Sequence, residues 1–83
     1  MSEKIKVYGA DWCGMTTRSL ALLDRLNADY EYINIENPGM EDAAQWVRDQ
    51  SDGKEKKPTI KIGEQILVEP SDAELEQALG NNS

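Results

Sequence analysis

The stretch Trp12-Cys13-Gly14-Met15-Thr16 decides the fold, because it stands between a short alternating segment and the start of a helical apolar pattern. Before it, Lys4 to Tyr8 puts Ile5 and Val7 on one face and Lys6 and Tyr8 on the other, then stops at Gly9. That is a strand followed by a loop, Gly9 to Trp12. After it, Leu20, Leu22, Leu23 and Leu26 fall at helical spacing to about Ala28, so a helix is predicted to begin at Cys13. Tyr30 to Ile35 alternates again, with Tyr30 and Tyr32 against Ile33 and Ile35. A crossover helix between two strands predicts that they run parallel.

The second half has the same punctuation. Asn37-Pro38-Gly39 reads as a turn or a helix start, and the helix that follows carries Glu41 and Asp42 in its first turn, with Ala43, Trp46 and Val47 predicted on its buried side. A polar, basic loop, Gly53 to Lys57, leads into Pro58. Thr59 to Ile62 and Gln65 to Val68 then read as a hairpin around Gly63-Glu64. Ser71 and Glu74 have the spacing of a capping box for a last helix with the stripe Leu75, Ala78 and Leu79. Gly80 is predicted to close that helix, and 79–83 to form a fraying end. The predicted order is β-α-β-α-β-β-α in one domain over 1–83: an α/β architecture with a mixed four-stranded sheet and helices on both faces.

Composition narrows the chemistry. Sixteen acidic against nine basic residues give a formal charge of −7, which repels polyphosphate and anionic lipid, so neither nucleic acid nor a membrane is an expected partner. One cysteine and no histidine exclude an internal disulfide and argue against a zinc site. No apolar run is long enough to span a bilayer or to read as a secretory signal, and a cytoplasmic setting is expected. Asn81-Asn82-Ser83 fits a glycosylation sequon by pattern and is read as a polar chain end.

Cys13 at a helix start faces unpaired backbone N–H groups and the positive end of the helix dipole, both of which favour the thiolate. Thr16, three residues on, is placed to donate a hydrogen bond to the sulfur and lower its pKa further. A lone cysteine also serves as a small apolar plug at a helix end, and spacing alone does not separate the two roles. The position after a first strand and at the first helix is where C-x-x-C redox motifs occur, here with Thr16 in the second cysteine's place.

With those residues the chain resembles the glutaredoxin family of the thioredoxin superfamily, and within it the mycoredoxins and glutaredoxin-like electron donors. The resemblance runs from Ile5-Lys6-Val7-Tyr8-Gly9 through Trp12-Cys13-Gly14 and Lys57-Pro58-Thr59-Ile60 to Glu69-Pro70-Ser71-Asp72. It implies a thioredoxin-like fold with Cys13 as the nucleophile toward mixed disulfides. By the same resemblance Pro58 is the cis-proline beside it, and the backbone of Lys57 pairs with the cysteinyl part of a bound thiol. Ser71 and Asp72 correspond to the residues that hold the γ-glutamyl end of glutathione, and Trp12, Gly14 and Met15 line the approach to the sulfur. Read without the family, Pro58 is a strand-opening proline and Ser71 a helix cap.

Four departures limit the transfer. Thr16 removes the resolving cysteine and with it the dithiol cycle. Lys56-Lys57 replaces the usual Thr-Val, bringing a cation that lowers the thiol pKa, binds a carboxylate, or belongs to a solvated loop. Ala10 stands where many relatives carry a lysine, and Asp11 beside it opposes an anionic tripeptide. Val68-Glu69 replaces a Gly-Gly pair. Three functions are therefore expected in turn. The first is a monomeric monothiol oxidoreductase that acts on mixed disulfides of proteins with a small thiol co-substrate: glutathione, mycothiol or bacillithiol. The second is a carrier of a 2Fe–2S cluster, held as a dimer through Cys13 and exogenous thiol. The third is a redox-inactive binding module.

Overall fold

A computed structural model describes residues 5–81 of the chain. The elements are β1 (Ile5–Gly9), α1 (Gly14–Arg25), β2 (Tyr30–Asn34), α2 (Glu41–Asp49), β3 (Thr59–Ile62), β4 (Gln65–Val68) and α3 (Asp72–Asn81), in the predicted order. The sheet order is β2-β1-β3-β4. β1 and β2 are parallel with Val7 opposite Tyr32 and Gly9 opposite Asn34. β1 and β3 are antiparallel with Val7 opposite Ile60 and Tyr8 opposite Thr59.

The alternation in the strands sorts the core into two layers. Ile5, Val7, Ile60 and Ile62 meet Leu22 and Leu23 of α1 and Leu75 and Ala78 of α3 on one face. On the other, Ile35, Ala44 and Val47 pack with Tyr8, Ile33, Ala43 and Trp46 from β1, β2 and α2. Burial on both sides of so small a sheet is its main stabilising term.

Three predicted details change. Helix α1 starts at Gly14 with Cys13 as its N-cap and ends at Arg25, because Asn27 enters the left-handed region at φ 55°. In α2 the buried pair is Ala44 and Val47, whereas Ala43 and Trp46 are half-buried; Trp46 lies on Tyr8 with ring centroids 4.6 Å apart. Helix α3 continues through Asn81, so 79–81 are helical and Gly80 does not end the helix; 82–83 lie outside the described residues, as do 1–4. Among the described residues no helix is long and apolar enough to cross a membrane.

Candidate active site

Parallel pairing brings the C-terminal ends of β1 and β2 to one edge, where the Ile35 amide donates to Gly9 O at 3.0 Å. β3 runs the other way, so its beginning reaches the same edge. Cys13 follows β1, Glu36 follows β2, and Lys57-Pro58 precedes β3. Topology thus assembles residues that are far apart in the chain.

Cys13 has an extended backbone, φ −81° and ψ 117°, and its carbonyl accepts the first helical hydrogen bond from Thr17 N at 3.1 Å. The side chain makes no cap hydrogen bond to the helix it opens. As a thiol, Cys13 Sγ donates to the carbonyl of Lys57 at 3.6 Å, across 44 residues of sequence. The Lys57–Pro58 peptide is cis and Pro58 is fully buried.

Burial pushes the Cys13 thiol up, but the Thr16 hydroxyl, the N–H groups of Thr16 and Met15, and the Lys57 charge together outweigh it and hold the pKa below its ordinary value. Thr16 is 1% exposed, and its Oγ1 has no hydrogen-bond partner while the sulfur is protonated. Ionisation of Cys13 supplies an acceptor for that orphan hydroxyl, and an unsatisfied buried donor is costly enough to make this a real bias. Thr16 is held from behind by Gly9: a Cβ at position 9 would collide with Thr16 Oγ1 and lie 2.6 Å from its Cγ2.

The rim is built by charge. Lys57, with its side chain 11% exposed, places Nζ 3.0 Å from Glu55 Oε1, 3.5 Å from Glu36 Oε2 and 5.0 Å from the centroid of the Trp12 ring. Glu55 also pairs with Arg48 at 2.9 Å. Hydrogen bonding and charge from Lys57, followed by Arg48, hold the Glu55 carboxyl below the usual range against a smaller desolvation effect. Trp12 is 69% exposed, yet its Nε1–H donates to Glu36 Oε1 at 2.7 Å, which fixes the indole with Lys57 Nζ over its ring. Asp11 accepts a hydrogen bond from the Tyr32 hydroxyl at 2.7 Å. Burial, then that bond and the charges of Asp11, Cys13 and Glu36, push the Tyr32 phenol well up, so it stays protonated.

Met15 is exposed, and Gly14 has open space where a Cβ would stand. Ser71 and Asp72 begin α3, and Ser71 is fully engaged. Its Oγ accepts from Glu74 N at 3.1 Å and its own N–H donates to Glu74 Oε1 at 2.9 Å. The Ser71 amide is therefore occupied by the chain's own Glu74, whose carboxyl these bonds hold low. Asp72 makes no hydrogen bond or ion pair among the described residues.

Sequence reading missed Gly9, Tyr32, Glu36 and Glu55. Glu36 had one available signal: it follows a strand predicted to lie parallel to β1, at the same edge as Trp12.

A family profile for glutaredoxin matches residues 5–67. The chain belongs to the glutaredoxin family. Solved structures agree. The glutaredoxin (grx-1) from Archaeoglobus fulgidus is 25% identical with a TM-score of 0.77, over 93% of this chain and 85% of that one. The glutaredoxin from Methanosarcina mazei Go1 is 24% identical with a TM-score of 0.78, over 96% and 84%. The glutaredoxin-like protein NrdH-redoxin from Escherichia coli is 19% identical with a TM-score of 0.76, over 89% and 92%. The curated proteins contain no match to the sequence. This glutaredoxin domain thus has the family's thiol oxidoreductase-like fold with a single cysteine.

The donor set bears on a cluster as well. A 2Fe–2S cluster is held by several thiolates, and one chain offers only Cys13 and no histidine, so each chain would contribute a single ligand.

Proposed function

We propose that this protein is a monothiol thiol–disulfide oxidoreductase that reduces mixed disulfides between proteins and a low-molecular-weight thiol. The observation that carries the reading is the environment of Cys13. Its sulfur is not used as a cap, and the helix N–H groups, the Thr16 hydroxyl and Lys57 bias it toward the thiolate beside the cis Lys57–Pro58 peptide. An attacking thiol is most effective with a pKa near ambient pH.

The Cys13 thiolate attacks the small-thiol sulfur of the mixed disulfide. A new S–S bond forms on Cys13, the old S–S bond breaks, and the protein thiolate leaves and takes a proton from water. A second small-thiol anion then attacks the adduct, regenerating the Cys13 thiolate and carrying both small thiols away as their disulfide. No second protein cysteine is needed, and one copy of the chain suffices. The proposed setting is the reducing cytoplasm, where a lone thiol stays available.

The test is the pH dependence of Cys13 alkylation in the parent, Thr16→Ala and Lys57→Ala proteins, followed by turnover of mixed disulfides. A pKa clearly below the free-cysteine reference of about 8.5, rising in Thr16→Ala, supports the reading. A thiol at or above that reference, indifferent to both substitutions and unreactive toward disulfides, leaves a binding module in its place.

A further inference from the structure

We infer, on the basis of the thiol-exchange reading, that the Cys13 site selects by charge: it takes disulfides that carry a positive charge or none and turns away those that carry carboxylates. Beyond the N–H groups of α1 that face the sulfur, two cationic features near the site are already matched by carboxylates of the chain. Lys57 is nearly buried between Glu36, Glu55 and the Trp12 face. The Ser71 amide, just before α3, is taken by Glu74. Glu69, which replaces a glycine, is tied to Pro58 by its N–H donating to Pro58 O at 2.8 Å, adding a further acidic residue there. An incoming carboxylate has to displace one of these groups.

A groove of about 290 Å³ supplies the opposite preference. Ala10, Thr16, Leu20 and Ala21 give it an apolar surface along α1, and Tyr32 on its wall is near enough to Cys13 to feel the charge of its thiolate. Asp11, Asp24 and Tyr32 also line it, and no basic side chain does. Asp11 and Asp24 each accept one tyrosine hydroxyl through Oδ1, from Tyr32 at 2.7 Å and Tyr30 at 2.8 Å, which fixes both carboxylates in place. An apolar stem ending in an amine or guanidinium fits this lining, and the occupant assigned to it is the basic portion of the disulfide substrate. Exchange itself is unchanged: the Cys13 thiolate forms one S–S bond, the substrate S–S bond breaks, and the leaving thiolate is protonated by water.

The experiment measures the rate at which the parent protein forms a mixed-disulfide adduct, by mass spectrometry, with cystamine, hydroxyethyl disulfide and dithiodipropionate. Each rate is divided by that of mercaptoethanol thiolate with the same compound, which removes intrinsic reactivity. The normalised order expected at low salt is cystamine, hydroxyethyl disulfide, dithiodipropionate, about threefold per step for one charge roughly 8 Å from an unbalanced carboxylate. The spread should collapse near 1 M salt, where the Debye length is about 3 Å. Asp11→Asn and Asp24→Asn should reduce the cystamine advantage, and Glu55→Gln, by releasing Lys57, should raise the dithiodipropionate rate. Equal normalised rates, or dithiodipropionate fastest, would overturn the inference. So would a selective loss of the dithiodipropionate rate in Lys56→Gln, which would make Lys56 a free reader of carboxylates. A folded protein that forms no adduct with any of the three compounds refutes the thiol-exchange reading itself, a result separable from a mere loss of selectivity.

Discussion

Replacing Gly9 by alanine tests the link between the sheet and the thiol. Gly9 is buried at the end of β1, and the added methyl would overlap Thr16 Oγ1 and lie 2.6 Å from Cγ2 and 3.1 Å from Cβ. No flexible side-chain end is available to move, since these atoms belong to a short branched residue held in a helix. Overpacking of this kind costs about 1–3 kcal/mol, and a domain of this size loses about 4–8 °C in Tm for each kcal/mol. Because the Thr16 hydroxyl helps to hold the Cys13 thiolate, Gly9→Ala should also raise the pKa read from alkylation. Urea denaturation of the parent, Gly9→Ala, Thr16→Ala and the double variant completes a cycle. Removing Oγ1 and Cγ2 leaves only the 3.1 Å approach to Cβ, so the double variant should recover at least about 1 kcal/mol relative to the sum of the single changes. Additive effects, or a Gly9→Ala protein within about 0.5 kcal/mol of the parent with an unchanged thiol pKa, would refute the proposed contact.

Glu69 sits at φ 49°, in the left-handed region where a side chain costs roughly 1 kcal/mol, so Glu69→Gly should raise the denaturation midpoint and Glu69→Ala should not. Ser71→Ala removes the reciprocal cap of α3 and should destabilise by about 1 kcal/mol in denaturant titration, with the Cys13 alkylation profile unmoved. The Cys13 pKa is lower folded than unfolded, so the folded state binds fewer protons than the unfolded state between the two values. Its contribution to stability is therefore fully present above the unfolded pKa, near 8.5, and is lost as pH falls through the folded value. Denaturation at a series of pH values should show that slope in the parent and lack it in Cys13→Ser.

Much of the fold was legible because strands and helices leave periods in the sequence. Ile5 and Val7 against Tyr8, and Ile60 and Ile62 in the hairpin, announce which faces are buried. Glycine at Gly63, with φ 59°, and the Ser71 to Glu74 spacing mark a turn and a cap through local hydrogen bonding and backbone freedom. Helix ends were less legible. Asn27 stops α1 through a left-handed φ that the leucine pattern does not signal, and Gly80 is tolerated inside α3. In α2, Ala43 and Ala44 are equivalent by residue type; only the direction from which the sheet approaches decides that Ala44 is buried.

The candidate site divides in the same way. Cys13, its place at the start of α1, and the nearness of Thr16 within one helical turn follow from the chain's own order, because those relations span three residues and depend on helix geometry alone. What Lys57 does depends on Glu36 and Trp12, and what Thr16 can do depends on Gly9. Those partners meet only because β1 and β2 are parallel and β3 is antiparallel, which carries three loops to one edge of the sheet. By itself the sequence determined where the single thiol stands and its local bias toward the thiolate. Tertiary structure alone decided which charges surround it, since electrostatic pairing acts over a few ångströms of space and takes no account of separation along the chain.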